Sequence, residues 1–269
     1  AMSSNQQQIR EFYDAESEDE RFSRSRAVEQ EFYYTQRLAE PYLTPDKSVL
    51  EVGCATGRYA LAFADRVKEY HGIDLHPGHI AFFRRRIRER GLSHVHAAVG
   101  DATRLDGVGD GRYDVVMAFG PLYHLPEAER EAAFAECARV CRPGGILLFS
   151  YINKAGAYMQ ACMTEAWRAP YPNRSTNELV LRRGMDDLRP GLFFYTMPEE
   201  MEERARAHGL EVIRNSGVDF AFRREVLEGM TEEAFAAWRE LTDFLCAHPS
   251  CTGLSNHALL ICRKPDGRR

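Results

Sequence analysis

The sequence predicts an α/β protein built on a parallel, doubly wound sheet. Three observations carry that prediction. Short apolar runs alternate with segments of helical period between residues 48 and 151. The first of these runs leads straight into a glycine turn, Gly53-Cys-Ala-Thr-Gly57, which opens a helical stretch. The chain has 269 residues, 44% hydrophobic and 28% charged, enough to bury a core without a disulfide or metal staple.

The elements follow in order. Ile9, Phe12 and Tyr13 share helical spacing, and Val28, Phe32, Gln36 and Ala39 mark a second helical face. Pro41 and Pro45 close this region, so residues 1–45 read as a helical cap. Residues 46–152 read as a ligand-binding core. Its strands are expected at 48–52, 70–75, 95–99, 113–119 and 146–151. A helix is expected over 58–67. Another starts at Pro77, carries Ile80, Phe83 and Ile87, and places Gly91 at its C′ position. A third runs over 127–141 and stops at Arg142-Pro-Gly-Gly145. Such alternation implies right-handed crossovers.

Residues 153–197 break the pattern. Periodicity is weak, and Pro170, Pro172 and Pro190 are scattered among aromatics, which predicts a loop-rich substrate lid. Thr196-Met-Pro-Glu199 reads as a capping box for a helix that ends at Gly209. Residues 198–269 then complete the sheet, with strands at 210–214 and 257–262 and a long helix capped by Thr231.

Composition excludes several classes. No apolar run approaches membrane-spanning length, and the polar N-terminus resembles no secretory signal. The opening Ala1-Met2 reads as a cloning scar before a native start. Seven cysteines without a C-x-x-C pair suit buried thiols in a reducing cytoplasm, and no metal site is expected. A net charge of -5 and a pI near 6.0 weigh against a nucleic-acid partner. Only four of the 35 basic residues are Lys, which fits a GC-rich bacterial genome. The arginines at 84, 85, 86, 88 and 90 read as one solvated helix face.

The glycine turn carries the most specific chemistry. Gly lets the backbone approach a ligand, and the following helix aims free N–H groups at it. The spacing lacks the third Gly of a dinucleotide site. Glu51, two residues before the turn, disfavours a phosphate and suits an ammonium.

These residues resemble the first motif of the class I S-adenosylmethionine-dependent methyltransferases. The match runs from Val49 through Glu51, Gly53 and Gly57, with Cys54 and Ala55 replacing the commoner interior. Three further motifs follow in family order: Asp74-Leu75, Asp101-Ala102, and the strand ending at Phe119 with Gly120-Pro-Leu-Tyr-His-Leu125. The resemblance spans roughly residues 12–263. It implies a seven-stranded sheet of order 3-2-1-4-5-7-6 whose last strand is antiparallel, and S-adenosyl-L-methionine as cofactor. It further implies Asp74 on the ribose hydroxyls, Leu75 on the adenine, Asp101 and the Ala102 N–H at the adenine edge, and Phe119 beside the cofactor. Asp74 also suits a helix cap, and Asp101 a turn. Tyr13, in an aromatic-Tyr-Asp element, stands as a second catalytic candidate and as a group closing over the cofactor, or as part of a packing face.

The absence of an Asn-Pro-Pro-Tyr type sequence after Phe119 disfavours DNA-adenine and release-factor methylation. A small-molecule acceptor is implied, with oxygen or nitrogen ahead of carbon, and a bacterial secondary pathway by family likeness alone. His124 is the candidate base, since a neutral imidazole suits proton removal; it also suits substrate orientation or helix capping. Tyr123, Tyr151, Trp167 and Tyr195 are the remaining candidates to touch substrate. A homodimer is compatible with the resemblance. Two rival readings stay open: an NAD(P)-dependent oxidoreductase, and a cofactor-binding protein without chemistry.

Overall fold

The computed structural model describes residues 4–12, 25–164, 172–220 and 224–267. Two helices lead in, α1 (Ser4–Phe12) and α2 (Arg26–Ala39). The Ser25 hydroxyl caps α2 by accepting from the Val28 N–H at 3.3 Å. Then come β1 (Ser48–Val52), α3 (Arg58–Phe63), β2 (Glu69–Asp74), α4 (Pro77–Glu89), β3 (Val95–Val99) and β4 (Tyr113–Ala118). The chain continues through α5 (Glu127–Val140), β5 (Cys141–Ile152) and α6 (Lys154–Thr164). A short helix, α7 (Arg174–Thr176), runs on as a π-helical turn over Asn177–Arg182. The closing elements are α8 (Pro198–Ala207), β6 (Glu211–Gly217), α9 (Arg224–Glu228), α10 (Glu232–Ala247) and β7 (His257–Arg263).

The sheet order is β3-β2-β1-β4-β5-β7-β6. Strands β1 to β5 run parallel, and β7 lies antiparallel between β5 and β6. The order reverses between β1 and β4, the switch point where open α/β sheets bind ligands. Register aligns the carboxyl ends there: Val52 pairs with both Ile73 and Ala118, and Asp74 pairs with Val99.

Burial explains the apolar runs. Every residue of β1 is buried, because helices cover both faces. One face carries Phe63, Tyr70 and Phe83, and the other Leu147, Phe134 and Phe149. Helix α4 starts with Pro77 at its first position, behind a His76 ring that accepts from the Gly78 and His79 N–H groups. It ends as expected, with Gly91 left-handed at φ +66.

Several boundaries differ from expectation. The helix over 58–67 stops at Phe63 and tightens into a 3-10 turn, Ala64–Arg66. Strand β5 begins at Cys141 rather than Ile146, because a register shift between Tyr113 and Val115 absorbs the Pro-Gly-Gly stretch. No helix joins β3 to β4; residues 100–112 are turns. Helix α8 is capped one residue later than the motif implied, with the Met197 N–H donating to Glu200 Oε2 at 2.9 Å. Residues 153–197, expected as a loop-rich lid, hold helices α6 and α7 and not loops alone. Strand β6 reaches Gly217. Among the described residues, no helix is long and apolar enough to cross a membrane.

Candidate functional site

The carboxyl ends of β1, β2, β3 and β4 open into one cavity. The turn after β1 forms its floor. Gly53 and Gly57 both sit in the left-handed region, at φ +74 and +83. They differ in task. A Cβ on Gly53 would stand 2.6 Å from Pro121 Cδ, at the cavity wall. A Cβ on Gly57 would strike the buried Phe83 ring at 2.1 Å, so Gly57 serves helix-to-sheet packing and does not line the cavity. Ala55, between them, is left-handed at φ +45 without being glycine. That conformation presents its N–H to Asp74 Oδ2 at 2.9 Å. The Gly53 and Cys54 N–H groups both donate to the Ile73 carbonyl, at 2.7 and 3.0 Å, which locks the turn to β2.

Three acids converge. Asp74 is held in place by Ala55, by the His76 N–H at 2.8 Å and by His79 Nδ1 at 3.2 Å. An ionised carboxylate offers about four acceptor positions, so these bonds leave capacity for a ligand. Asp101 accepts from the Thr103 N–H and hydroxyl at 2.9 and 2.8 Å, the turn contacts that its sequence position allowed, while still lining the cavity. Glu51 is 1% exposed and accepts from the Tyr70 hydroxyl at 2.6 Å. Burial pushes its carboxyl up to about 8. The Tyr70 hydrogen bond opposes this shift and the Asp74 charge adds to it.

The opposite wall comes from the segment after β4. Phe119 packs on Tyr59 with ring centroids 4.7 Å apart. A 3-10 turn, Pro121–His124, then brings Tyr123 and His124 to the cavity. His124 Nδ1 lies 2.9 Å from the Leu192 carbonyl. A carbonyl only accepts, so Nδ1 carries the proton and, in the neutral ring, Nε2 carries the lone pair. Leu75 and Ala102 also line the cavity.

Three expectations are corrected. Gly57, expected with the cofactor-binding residues, packs against Phe83 instead. Tyr151 does not reach the cavity. It is 1% exposed in the core, with its hydroxyl donating to Asn215 Oδ1 at 2.6 Å, because the residue faces α8 and β6. Tyr195 lines a separate groove beside Arg183 and Gly184, where its N–H donates to the Gly184 carbonyl at 2.7 Å. Tyr13 and Trp167 lie outside the described residues. The structure adds Arg10, His76 and His79 to the cavity wall. Arg10 Nη2 donates to the Leu75 carbonyl at 2.6 Å. That contact joins residues 65 apart, and no local pattern announces it.

The family described as a methyltransferase domain matches residues 49–145, the span holding all four motifs. A ubiquinone biosynthesis O-methyltransferase of Thiobacillus denitrificans is 31% identical over 175 residues, covering 65% of this chain and 68% of that protein. The chain belongs to the class I S-adenosylmethionine-dependent methyltransferases. The structure of the 4+2 cyclase SpnF superposes on this methyltransferase with a TM-score of 0.57 at 26% identity, covering 88% of this chain and 81% of that one. A phosphoethanolamine N-methyltransferase from Haemonchus contortus, solved with S-adenosyl-L-methionine, shares the fold with a TM-score of 0.57 at 17% identity, over 88% of this chain and 53% of that one. The methyltransferase uses S-adenosylmethionine as its cofactor. The cavity fits that group: a turn closed to any Cβ at Gly53, and acids rather than a phosphate cradle at the strand ends.

Proposed function

We propose that this methyltransferase methylates an oxygen of a small-molecule acceptor. The observation that carries the reading is the convergence of Glu51, Asp74 and Asp101 on one side of a cavity whose other wall is Phe119 and His124. Glu51 takes the cofactor ammonium, Asp74 the ribose hydroxyls, and Asp101 with the Ala102 N–H the adenine edge. Phe119 and Leu75 pack on the apolar parts, and Gly53 leaves room for the cofactor chain. The bound cofactor supplies a methyl carbon already activated for in-line displacement.

The protein's own work is alignment, exclusion of water and handling of one proton. His124 receives the proton of the acceptor hydroxyl at Nε2, since its Nδ1 is committed to Leu192. Its ring also meets Phe193 at 4.9 Å, so the base is set by a lid residue. Oxygen is favoured over nitrogen because named relatives are O-methyltransferases, including the malonyl-acyl-carrier-protein enzyme of Serratia marcescens at 31% identity over 136 residues.

The likeness to a cyclase supports a second reading, in which the pocket is kept for different chemistry. Radiolabelled S-adenosylmethionine offered with a panel of phenols, alcohols and amines separates the two. Labelled ether with stoichiometric S-adenosylhomocysteine is expected. Cofactor binding without transfer to any member would overturn methyl transfer.

A further inference from the structure

The cofactor cavity holds a polar atom that the reading above leaves unused. His79 is the third residue of α4 and lines the cavity together with Asp74. It is 4% exposed, and its Nε2 is buried with no hydrogen-bond partner among the described residues. The other buried residues of α4, Ile80 and Phe83, are apolar. A buried polar atom left unmet costs stability, and this one stands on the wall of a ligand cavity.

The ring is fixed on two sides. Its Nδ1 lies 3.2 Å from Asp74 Oδ1. A carboxylate only accepts, so Nδ1 carries the proton and, in the neutral ring, Nε2 carries the lone pair. The His76 ring stacks on it, with centroids 4.4 Å apart and planes 24° from parallel. His76 is itself fixed, because its Nδ1 accepts from the Gly78 and His79 N–H groups at 3.0 and 3.3 Å. His79 Nε2 is therefore an acceptor held in one place.

Asp74 has fewer free positions than a ribose has donors. Its Oδ1 accepts from the His76 N–H at 2.8 Å and from His79 Nδ1, and its Oδ2 accepts from the Ala55 N–H at 2.9 Å. Each carboxylate oxygen offers about two lone-pair positions. Oδ1 is thus filled, and Oδ2 keeps about one. A ribose brings two adjacent hydroxyls, so the second calls for another acceptor beside Asp74. We propose that His79 is a ribose-binding residue, whose Nε2 accepts one cofactor hydroxyl while Asp74 Oδ2 accepts the other. The pair selects a vicinal diol, since neither a deoxyribose nor a phosphorylated ribose offers two such donors. The inference rests on the proposed placement of the ribose at Asp74, which it divides between two acceptors.

The test titrates S-adenosylhomocysteine and its 2′-deoxy and 3′-deoxy analogues by calorimetry into the full chain, His79→Asn and His79→Gln at one pH. Asn sets an amide N–H where Nδ1 stood, which keeps Asp74 Oδ1 filled but removes the acceptor. Gln sets an amide oxygen near the Nε2 position. His79→Asn should weaken S-adenosylhomocysteine binding about tenfold, and His79→Gln should recover most of that loss. One deoxy analogue should bind the unmodified chain about tenfold more weakly than S-adenosylhomocysteine and lose nothing further in His79→Asn, because the hydroxyl that His79 accepts is already gone. The other analogue should lose affinity in His79→Asn as S-adenosylhomocysteine does. Full S-adenosylhomocysteine affinity in His79→Asn, or the same loss for all three ligands, overturns the role of His79. Should His79→Asn fail to fold, the unmodified chain labelled with 15N-histidine decides. Its His79 Nε2 resonance, identified by its loss in His79→Gln, should move to lower frequency when S-adenosylhomocysteine binds, and an unmoved resonance overturns the proposal. Absence of any S-adenosylhomocysteine binding by the unmodified chain would instead overturn the cofactor assignment.

Discussion

At residue scale, the proposed reading gives Glu51, a buried acid, a cationic ligand to serve. With its carboxyl pushed up to about 8, it is mostly protonated at neutral pH in the ligand-free protein. An ammonium stabilises the ionised form and lowers that value, so binding releases a proton. Affinity for S-adenosylhomocysteine should therefore rise with pH through the neutral range and level off above about 8, while Glu51→Gln flattens the rise. Calorimetry in buffers of different ionisation enthalpy reads the proton directly. Ala55 pays for its left-handed φ of +45, a conformation costing roughly 1–2 kcal/mol outside glycine. Ala55→Gly should raise unfolding stability by about 1 kcal/mol in denaturant titration. His124→Ala should lower turnover at least about tenfold with cofactor affinity unchanged, since proton transfer contributes at least that much. The residues of the proposed cofactor wall were legible through the family resemblance, which ties them to the strand ends that line the cavity. Tyr151 and Tyr195 misled because an aromatic in a strand or lid carries no mark of which way it faces. Arg10 was hidden because its contact with the Leu75 carbonyl joins segments far apart in sequence.

At the scale of elements, β1, β4 and β7 announced themselves by burial on both faces, and Pro77 and Thr231 marked two helix starts. Thr231 caps α10 as read, with its hydroxyl accepting from the Ala234 N–H at 3.2 Å. Helix α6 escaped notice because its residues Ala155, Gly156, Ala157 and Ala161 are small and give no apolar stripe. The glycine turn divides its labour between two residues, and substitution should separate them. Gly57→Ala forces a Cβ into Phe83 and should cost about 3 kcal/mol of stability, from overpacking plus a left-handed alanine. Gly53→Ala pushes on Pro121 at the cavity wall, so its expected loss falls on cofactor affinity as well as on thermal stability. Equal effects of both on stability, with no change in affinity for either, would contradict the division.

For the whole molecule, seven strands and the helices that cover them place an acid-lined cavity wall at the reversal of strand order. The mild acidity of the chain accords with a small acceptor rather than a polyanion. The strand order was legible only through the family resemblance, because nothing local states that β7 inserts between β5 and β6. The account stands most directly on titration calorimetry with S-adenosylhomocysteine and NADH, using the unmodified chain and Asp74→Ala. The expected result is one saturable S-adenosylhomocysteine site, no NADH heat, and an affinity at least about tenfold weaker in Asp74→Ala, a difference of about 1.4 kcal/mol, with unchanged circular dichroism. Binding of NADH without S-adenosylhomocysteine, or full affinity in Asp74→Ala, would contradict it.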